Sequence, residues 1–271
     1  MQSVFSNSVI NIKNNNKTYK VPKHVFIKIS DNNNNDNGNN NDNAVVTSNT
    51  STYTPTSNTF GLYTITKANT FFKGAYSIVV LYEDATSKQS KTSKIVLKVA
   101  IPSKANKYKI KQELDIYTKL MERPNYSDFI CKCYGLETMK INKSIFQYMT
   151  LEYMSCDLFD YIFEHKHTYT TRNIHSFILQ IAQSLDFLHD NFIIYNDLKL
   201  ENIMISDIKY DSNKRHKIFK LKLIDFNCST LIKQTTNITG GGTLEYMSPE
   251  LQTCIRTHKY NKLTLKSDEW S

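Results

Sequence analysis

The stretch Ile193-Ile-Tyr-Asn-Asp-Leu-Lys-Leu-Glu-Asn-Ile-Met-Ile205 opens apolar, turns polar and closes apolar. That pattern predicts a strand, a tight loop and a second strand. The loop carries Asp197, Lys199 and Asn202. An acid there can orient a hydroxyl and take its proton, a lysine can neutralise a phosphoryl group in transit, and an amide oxygen can hold a divalent metal. Downstream, Leu223-Ile-Asp-Phe-Asn227 ends a further apolar run on Asp225, where a second metal ligand is needed. Read blandly, Asp197 and Asn202 are turn residues. The two stretches in this order argue for chemistry instead.

The surrounding chain has the size and composition of one large or two small domains. Of its 271 residues, 40% are hydrophobic, which supports a core. No run of about 18 apolar residues occurs, so no membrane span is expected. The start, Met-Gln-Ser-Val-Phe-Ser-Asn, lacks the charged and apolar regions of a secretory signal. An intracellular protein, cytoplasmic or nuclear, is the expectation. The five cysteines, Cys131, Cys133, Cys156, Cys228 and Cys254, form no C-x-x-C pair and suit neither a disulfide framework nor a zinc site. The net charge of +9 gathers in polar stretches around Lys88–Lys94, Lys104–Lys111 and Lys209–Lys222. Without aromatic interleaving these read as solvated faces, and no nucleic-acid partner is expected.

Residues 1–59 are rich in Asn, Ser and Thr, with a nearly pure Asn/Asp tract from Asp31 to Asn43. Such a segment buries too little apolar area to offset its ordering entropy, so it reads as disordered, with Tyr19–Ile29 as a stray strand. From residue 60 the composition changes. Leu62–Ile65 and Phe72–Val80 read as strands around a turn at Gly74, and Lys94–Ala100 as another. Ile110, Leu114, Tyr117 and Met121 fall at helical spacing, and Glu113 shares their stripe. A buried carboxylate needs a partner, and Lys98 is the candidate. Phe129–Leu136 and Ser144–Met154 read as strands, Leu158–Ile162 as a short helix. Ile174, Phe177, Ile178, Ile181, Leu185 and Leu188 predict a long amphipathic helix. His165, His167, His175 and His189 show no metal-ligand spacing. Ser206–Arg215 reads as a loop insertion.

With these residues in place, the chain from about Phe60 to Ser271 resembles the eukaryotic protein kinases of the serine/threonine type. Asp197-Leu-Lys-Leu-Glu-Asn202 resembles their catalytic loop, and Asp225-Phe-Asn227 their metal-binding Asp-Phe-Gly triplet. Lys98 matches the strand lysine, Glu113 its helical partner, Leu151-Glu-Tyr-Met154 the hinge between lobes, and Ser248-Pro-Glu250 the Ala-Pro-Glu triplet. The resemblance implies an α+β two-lobe fold: a β-rich N-lobe over about 60–153 and an incomplete helical C-lobe over 154–271. It implies ATP and Mg²⁺ as cofactors and a protein substrate bearing Ser or Thr. Asp197 and Lys199 would be catalytic, Asn202 and Asp225 metal ligands. The nucleotide would meet Phe72, Gly74, Ser77, Val79, Val96, Lys98, Glu113, the backbone of Glu152 and Met154, and Met204.

The sequence departs from that family at Phe72 and at four further places, the largest being the lower lobe. Phe72 stands where the first loop glycine is usual, and Val96 replaces a small Ala above the adenine. Asn196 replaces the Arg that pairs with an activation-segment phosphate, expected near Thr239. Asn227 replaces a Gly, a position that Asn tolerates in a left-handed backbone. The lower lobe is expected to lack the floor beginning near Asp268, leaving Leu185, Ile205 and Leu223 short of burial and turnover weak. Tyr195 is expected to stack beneath Phe226. The rival reading is a pseudokinase or fragment that binds nucleotide or a protein without turnover.

Overall fold

The computed structural model describes residues 3–5, 9–14, 17–22, 24–28, 60–64, 71–73, 77–84, 94–100, 107–141, 144–164, 169–213, 216–232, 241–259 and 263–271. The upper part is an eight-stranded antiparallel sheet. Its strands are β1 (Ser3–Phe5), β4 (His24–Lys28), β5 (Phe60–Thr64), β6 (Phe71–Lys73), β7 (Ser77–Asp84), β8 (Lys94–Ala100), β9 (Cys133–Ile141) and β10 (Ser144–Glu152). The order is β1-β4-β5-β7-β8-β10-β9, with β6 pairing β7. A separate hairpin joins β2 (Val9–Asn14) and β3 (Lys17–Pro22).

Residues 3–28 contain four strands, of which β3 and β4 fall where the stray strand Tyr19–Ile29 was expected and β1 and β2 where none was. Val9, Ile10 and Ile12 give β2 its β-branched content. His24–Lys28 pairs with Phe60–Thr64. The Asn/Asp tract lies outside the described residues.

Alternation along β7 and β8 separates two faces. Ile78, Val80, Tyr82, Ile95, Leu97 and Val99 are fully buried, while Val79, Leu81, Val96 and Ala100 on the other face are half-buried. Helix α1 (Lys107–Met121) packs beside this sheet. From Lys111 onward its buried positions are Glu113, Ile116, Tyr117 and Leu120. The stripe is therefore turned by part of a turn from the expected one, and Leu114 and Met121 are half-buried.

A short connection after Glu152 leads to β11 (Cys156–Asp157), the expected short helix, which starts at Leu158 and continues as a π-helical turn at Asp160–Glu164, and α2 (Thr171–Asp190). Thr170 and Asn173 cap α2 reciprocally, side chain to backbone in both directions. The chain then forms β12 (Ile193–Ile194), β13 (Ile203–Tyr210), β14 (Lys217–Leu223), β15 (Thr230–Leu231) and α3 (Pro249–Thr257). The expected loop insertion after Ile205 is corrected: β13 and β14 extend as a ladder to Tyr210↔Lys217, with an irregularity between Ile205 and Asp207.

The buried face of α2 carries Asn173, Phe177, Ser184 and Leu188, whereas Ile174 and Ile178 of the expected stripe are exposed. The reason is that polar side chains set the helix against β14. Gln180 donates to Phe219 O and accepts from Leu221 N–H, both at 3.0 Å, as a neighbouring strand would. Phe177 meets Phe219 edge-on, ring centroids 5.1 Å apart.

Candidate active site

The loop bearing Asp197 follows β12, whose Ile193 and Ile194 are buried and pair with Leu231 and Thr230 of β15. Asn196 and Asp225 both take left-handed backbone, φ 66° and 60°. Non-glycine residues in that region are few and strained, and such positions gather at functional sites. Asn196 N–H and Tyr195 N–H donate to the two oxygens of Asp268, at 2.7 and 2.8 Å. His189 Nε2 lies 2.8 Å from Asp268 Oδ2. Asp268 is 2% exposed, and these groups replace the water it has lost.

The 3₁₀ turn Leu265–Glu269, where the expected floor begins, brings Asp268 beneath the loop. Ile205 and Leu223 are buried, against expectation. Leu185 is half-buried and lines, with His189, Leu198, Tyr246 and Asp268, a cavity of about 490 Å³ under the loop.

Asp197 is held from two sides. Asn202 Nδ2 donates to its Oδ2 at 2.9 Å and to its backbone carbonyl at 2.8 Å. Thr243 Oγ1 donates to its Oδ1 at 2.7 Å and accepts from Lys199 Nζ at 2.7 Å. Lys199 Nζ is itself 3.5 Å from Asp197 Oδ2. Thr243 was not among the expected site residues. It follows Gly242 in a pair that resembles the serine/threonine kinases. At Gly242 a Cβ would come within 2.6 Å of Asn196 O, and φ is 149°.

At the upper edge, Lys98 Nζ reaches Glu113 Oε1 at 2.6 Å and Asp225 Oδ1 at 2.9 Å. Glu113 Oε1 also accepts from Phe226 N–H at 3.3 Å. Burial alone would push Lys98 down, but the two carboxylates outweigh it and hold its pKa above the ordinary value. For Asp225 burial acts upward, yet Lys98 prevails and its pKa lies below the usual carboxylate value. Glu113 goes the other way: burial outweighs Lys98 and raises it. Phe226 is fully buried and meets Tyr195 at 72° and Tyr117 at 84°. The expected stack is thus an edge-to-face contact, which the ring quadrupoles favour.

Val79 pairs with Lys98, and Val96 pairs with Leu151, so Ser77, Val79, Val96 and Lys98 share the open face of the sheet. Met154 and Met204 are half-buried. Met154 makes no hydrogen bond to another described residue. Phe72 is placed by its backbone alone, opposite Val79 in β6. Gly74 and Thr239 lie outside the described residues.

The residues present fit a magnesium ion. With its Nδ2 committed to Asp197, Asn202 turns Oδ1 away as a free acceptor among the described residues. Asp225 Oδ2 is likewise left over from the Lys98 contact. Ile224 N–H donates to Asn202 O at 3.1 Å, which ties the backbone of Asn202 to the residue before Asp225. No cluster of three His, Cys, Asp or Glu side chains occurs among the described residues, so a cation here would draw its other ligands from phosphate or water.

A β-rich lobe with one helix carrying the Lys98–Glu113 pair, joined through Glu152 to a lobe that presents Asp197, Lys199 and Asn202, is the protein kinase fold. The chain belongs to the protein kinase domain family, whose model matches residues 66–271. It is similar to the mitogen-activated protein kinase kinase kinase mom-4 of Caenorhabditis elegans, 29% identical over 73% of this chain and 33% of that protein. It is also similar to serine/threonine-protein kinase 1 of Heliothis zea nuclear polyhedrosis virus, 33% identical over 60% of this chain and 52% of that protein. The chain thus spans about a third to a half of these two relatives. A crystal structure of a kinase domain superposes with a TM-score of 0.56 at 20% identity, covering 77% of this chain and 61% of that one, and bears on the fold alone. Among the described residues, no helix is long and apolar enough to cross a membrane.

Proposed function

We propose that this domain is a serine/threonine protein kinase that moves the terminal phosphoryl group of ATP onto a protein hydroxyl. The observation that carries the reading is the meeting of two clusters: Asp197, Asn202, Lys199 and Thr243 below, and Lys98, Glu113 and Asp225 above. Asp197 orients the acceptor hydroxyl and takes its proton. Lys199, fixed by Thr243, offers positive charge beside the moving phosphoryl. Lys98 neutralises the nucleotide phosphates, and Glu113 holds it there. Asn202 and Asp225 would hold magnesium, which when bound would supply positive charge to the nucleotide phosphates. Such catalysis is positioning and electrostatics, so the buried network around Asp197 matters as much as the acid itself.

Thermal shift with ATP, with and without magnesium, tests the metal pair: stabilisation is expected only with both. Phosphoryl transfer to a Ser/Thr peptide, beside an Asp197→Asn control, tests turnover. Magnesium-dependent binding with transfer no better than the control would move the domain to the nucleotide-binding, non-catalytic class.

A further inference from the structure

Lys222 is a buried cation on β14, three residues before Asp225, and the mechanism above does not use it. Its side chain is 8% exposed and its Nζ lies 2.6 Å from Glu152 Oε1. The same oxygen accepts the N–H of Lys132 at 2.6 Å, and Glu152 N–H donates back to Lys132 O at 2.9 Å. The Lys132 segment is in turn stitched to β14: Cys131 N–H donates to Leu223 O at 3.0 Å, and Leu223 N–H to Phe129 O at 2.9 Å. Three pieces of chain therefore meet at one carboxylate: the end of the upper sheet, the segment after α1, and the strand that delivers Asp225.

A buried ion pair is weak evidence for stability, because apolar residues of similar volume hold a core as well; its better-attested use is to specify geometry. Here that geometry joins the two ends of the nucleotide site. The backbone beyond Glu152 carries the edge expected to meet the adenine, and β14 carries the residue expected to meet the metal. We infer that Lys222 and the Glu152 side chain are positioning residues that set the inter-lobe connection against the Asp225 strand. The inference rests on the nucleotide-binding reading and deepens it. It gives Glu152 a side-chain role beside the backbone one.

The test uses the 271-residue chain and the variants Lys222→Met, Lys222→Arg and Glu152→Gln. Three quantities are measured: ATP affinity with magnesium, melting temperature, and amide hydrogen exchange. Lys222→Met is expected to weaken ATP binding about tenfold, the scale of one displaced hydrogen-bonded contact. Exchange at Lys132 and Glu152 should speed up while α2 stays protected, and Lys222→Arg should restore both. Glu152→Gln keeps an acceptor for Lys132 N–H and should give a smaller loss of the same kind. Unchanged affinity in Lys222→Met overturns the inference while leaving the nucleotide reading intact. So does loss of protection spread evenly through α2, which would make the pair merely structural. Failure of the unmodified chain to bind ATP removes the nucleotide reading and this inference with it.

Discussion

Glu113 and Asp268 are both 2% exposed, and the protein holds them in opposite ways. Glu113 is answered by a side chain, Lys98, across a strand and a helix, with one backbone N–H from Phe226 in support. Asp268 is answered chiefly by backbone, the N–H groups of Tyr195 and Asn196, with His189 alongside. A side-chain pair fixes the position of a charge. A pair of bonds from consecutive backbone N–H groups to one carboxylate fixes the path of the chain, since those donors have no rotamer of their own. Glu113 thus sets where Lys98 stands, and Asp268 sets where the loop bearing Asp197 stands.

The sharpest way to break this comparison is to remove the backbone anchor. Asp268→Ala leaves buried donors unpaired and should cost about 3–5 kcal/mol in denaturant unfolding, the scale for orphaning partners of a buried charge. A loss under about 1 kcal/mol would mean that the loop is held elsewhere. Next comes Asp197→Asn, which keeps the Thr243 and Asn202 surroundings close to native. Phosphoryl transfer should fall by about 10²–10⁴ while ATP affinity stays the same, separating the acid's chemistry from its scaffold.

Gln180→Ala sharpens the contrast on the scaffold side. It orphans Leu221 N–H and Phe219 O and should destabilise by about 2 kcal/mol, read by chemical denaturation. Glu113→Gln tests the side-chain device: the amide still accepts from Lys98 but brings no charge. ATP affinity should weaken about tenfold with little change in melting temperature. An unchanged affinity would show that Asp225 alone suffices to hold Lys98. The smallest effect is expected at Thr239. Replacement by Ala or Glu should alter activity less than about tenfold, because Asn196 offers no charge to a phosphate. Its Nδ2 is already spent on Cys228 O at 2.9 Å and Thr230 Oγ1 at 3.0 Å. A larger change would reveal another basic residue doing the work of the missing Arg.

Helix faces show where reading the chain fell short. On α2 the apolar residues cover a wide arc, and the sequence favoured Ile174 and Ile178, which are exposed. Polar residues decided the matter, with Asn173 Nδ2 donating to Lys217 O at 2.9 Å and Gln180 clasping β14. A hydrophobic stripe fixes a helix's rotation only within the width of the stripe, and directional hydrogen bonds select within it. On α1 the expected face was turned by part of a turn, yet Glu113 kept its inward place.

Lys98 and Glu113 were legible together. The period of α1 points Glu113 inward, a buried carboxylate requires a cation, and Lys98 matches the strand lysine of the family that the chain resembles. The loop from Asp197 to Asn202 and the Asp225 triplet were legible for the same reason, because their offsets are short and their chemistry is local. Asp268, 73 positions from Tyr195, Thr243, 46 from Asp197, and the Lys222–Glu152 pair, 70 apart, were decided by the tertiary structure. No periodicity marks which distant carboxylate or hydroxyl will arrive at a loop. Only packing brings those groups within the roughly 3 Å at which a hydrogen bond forms.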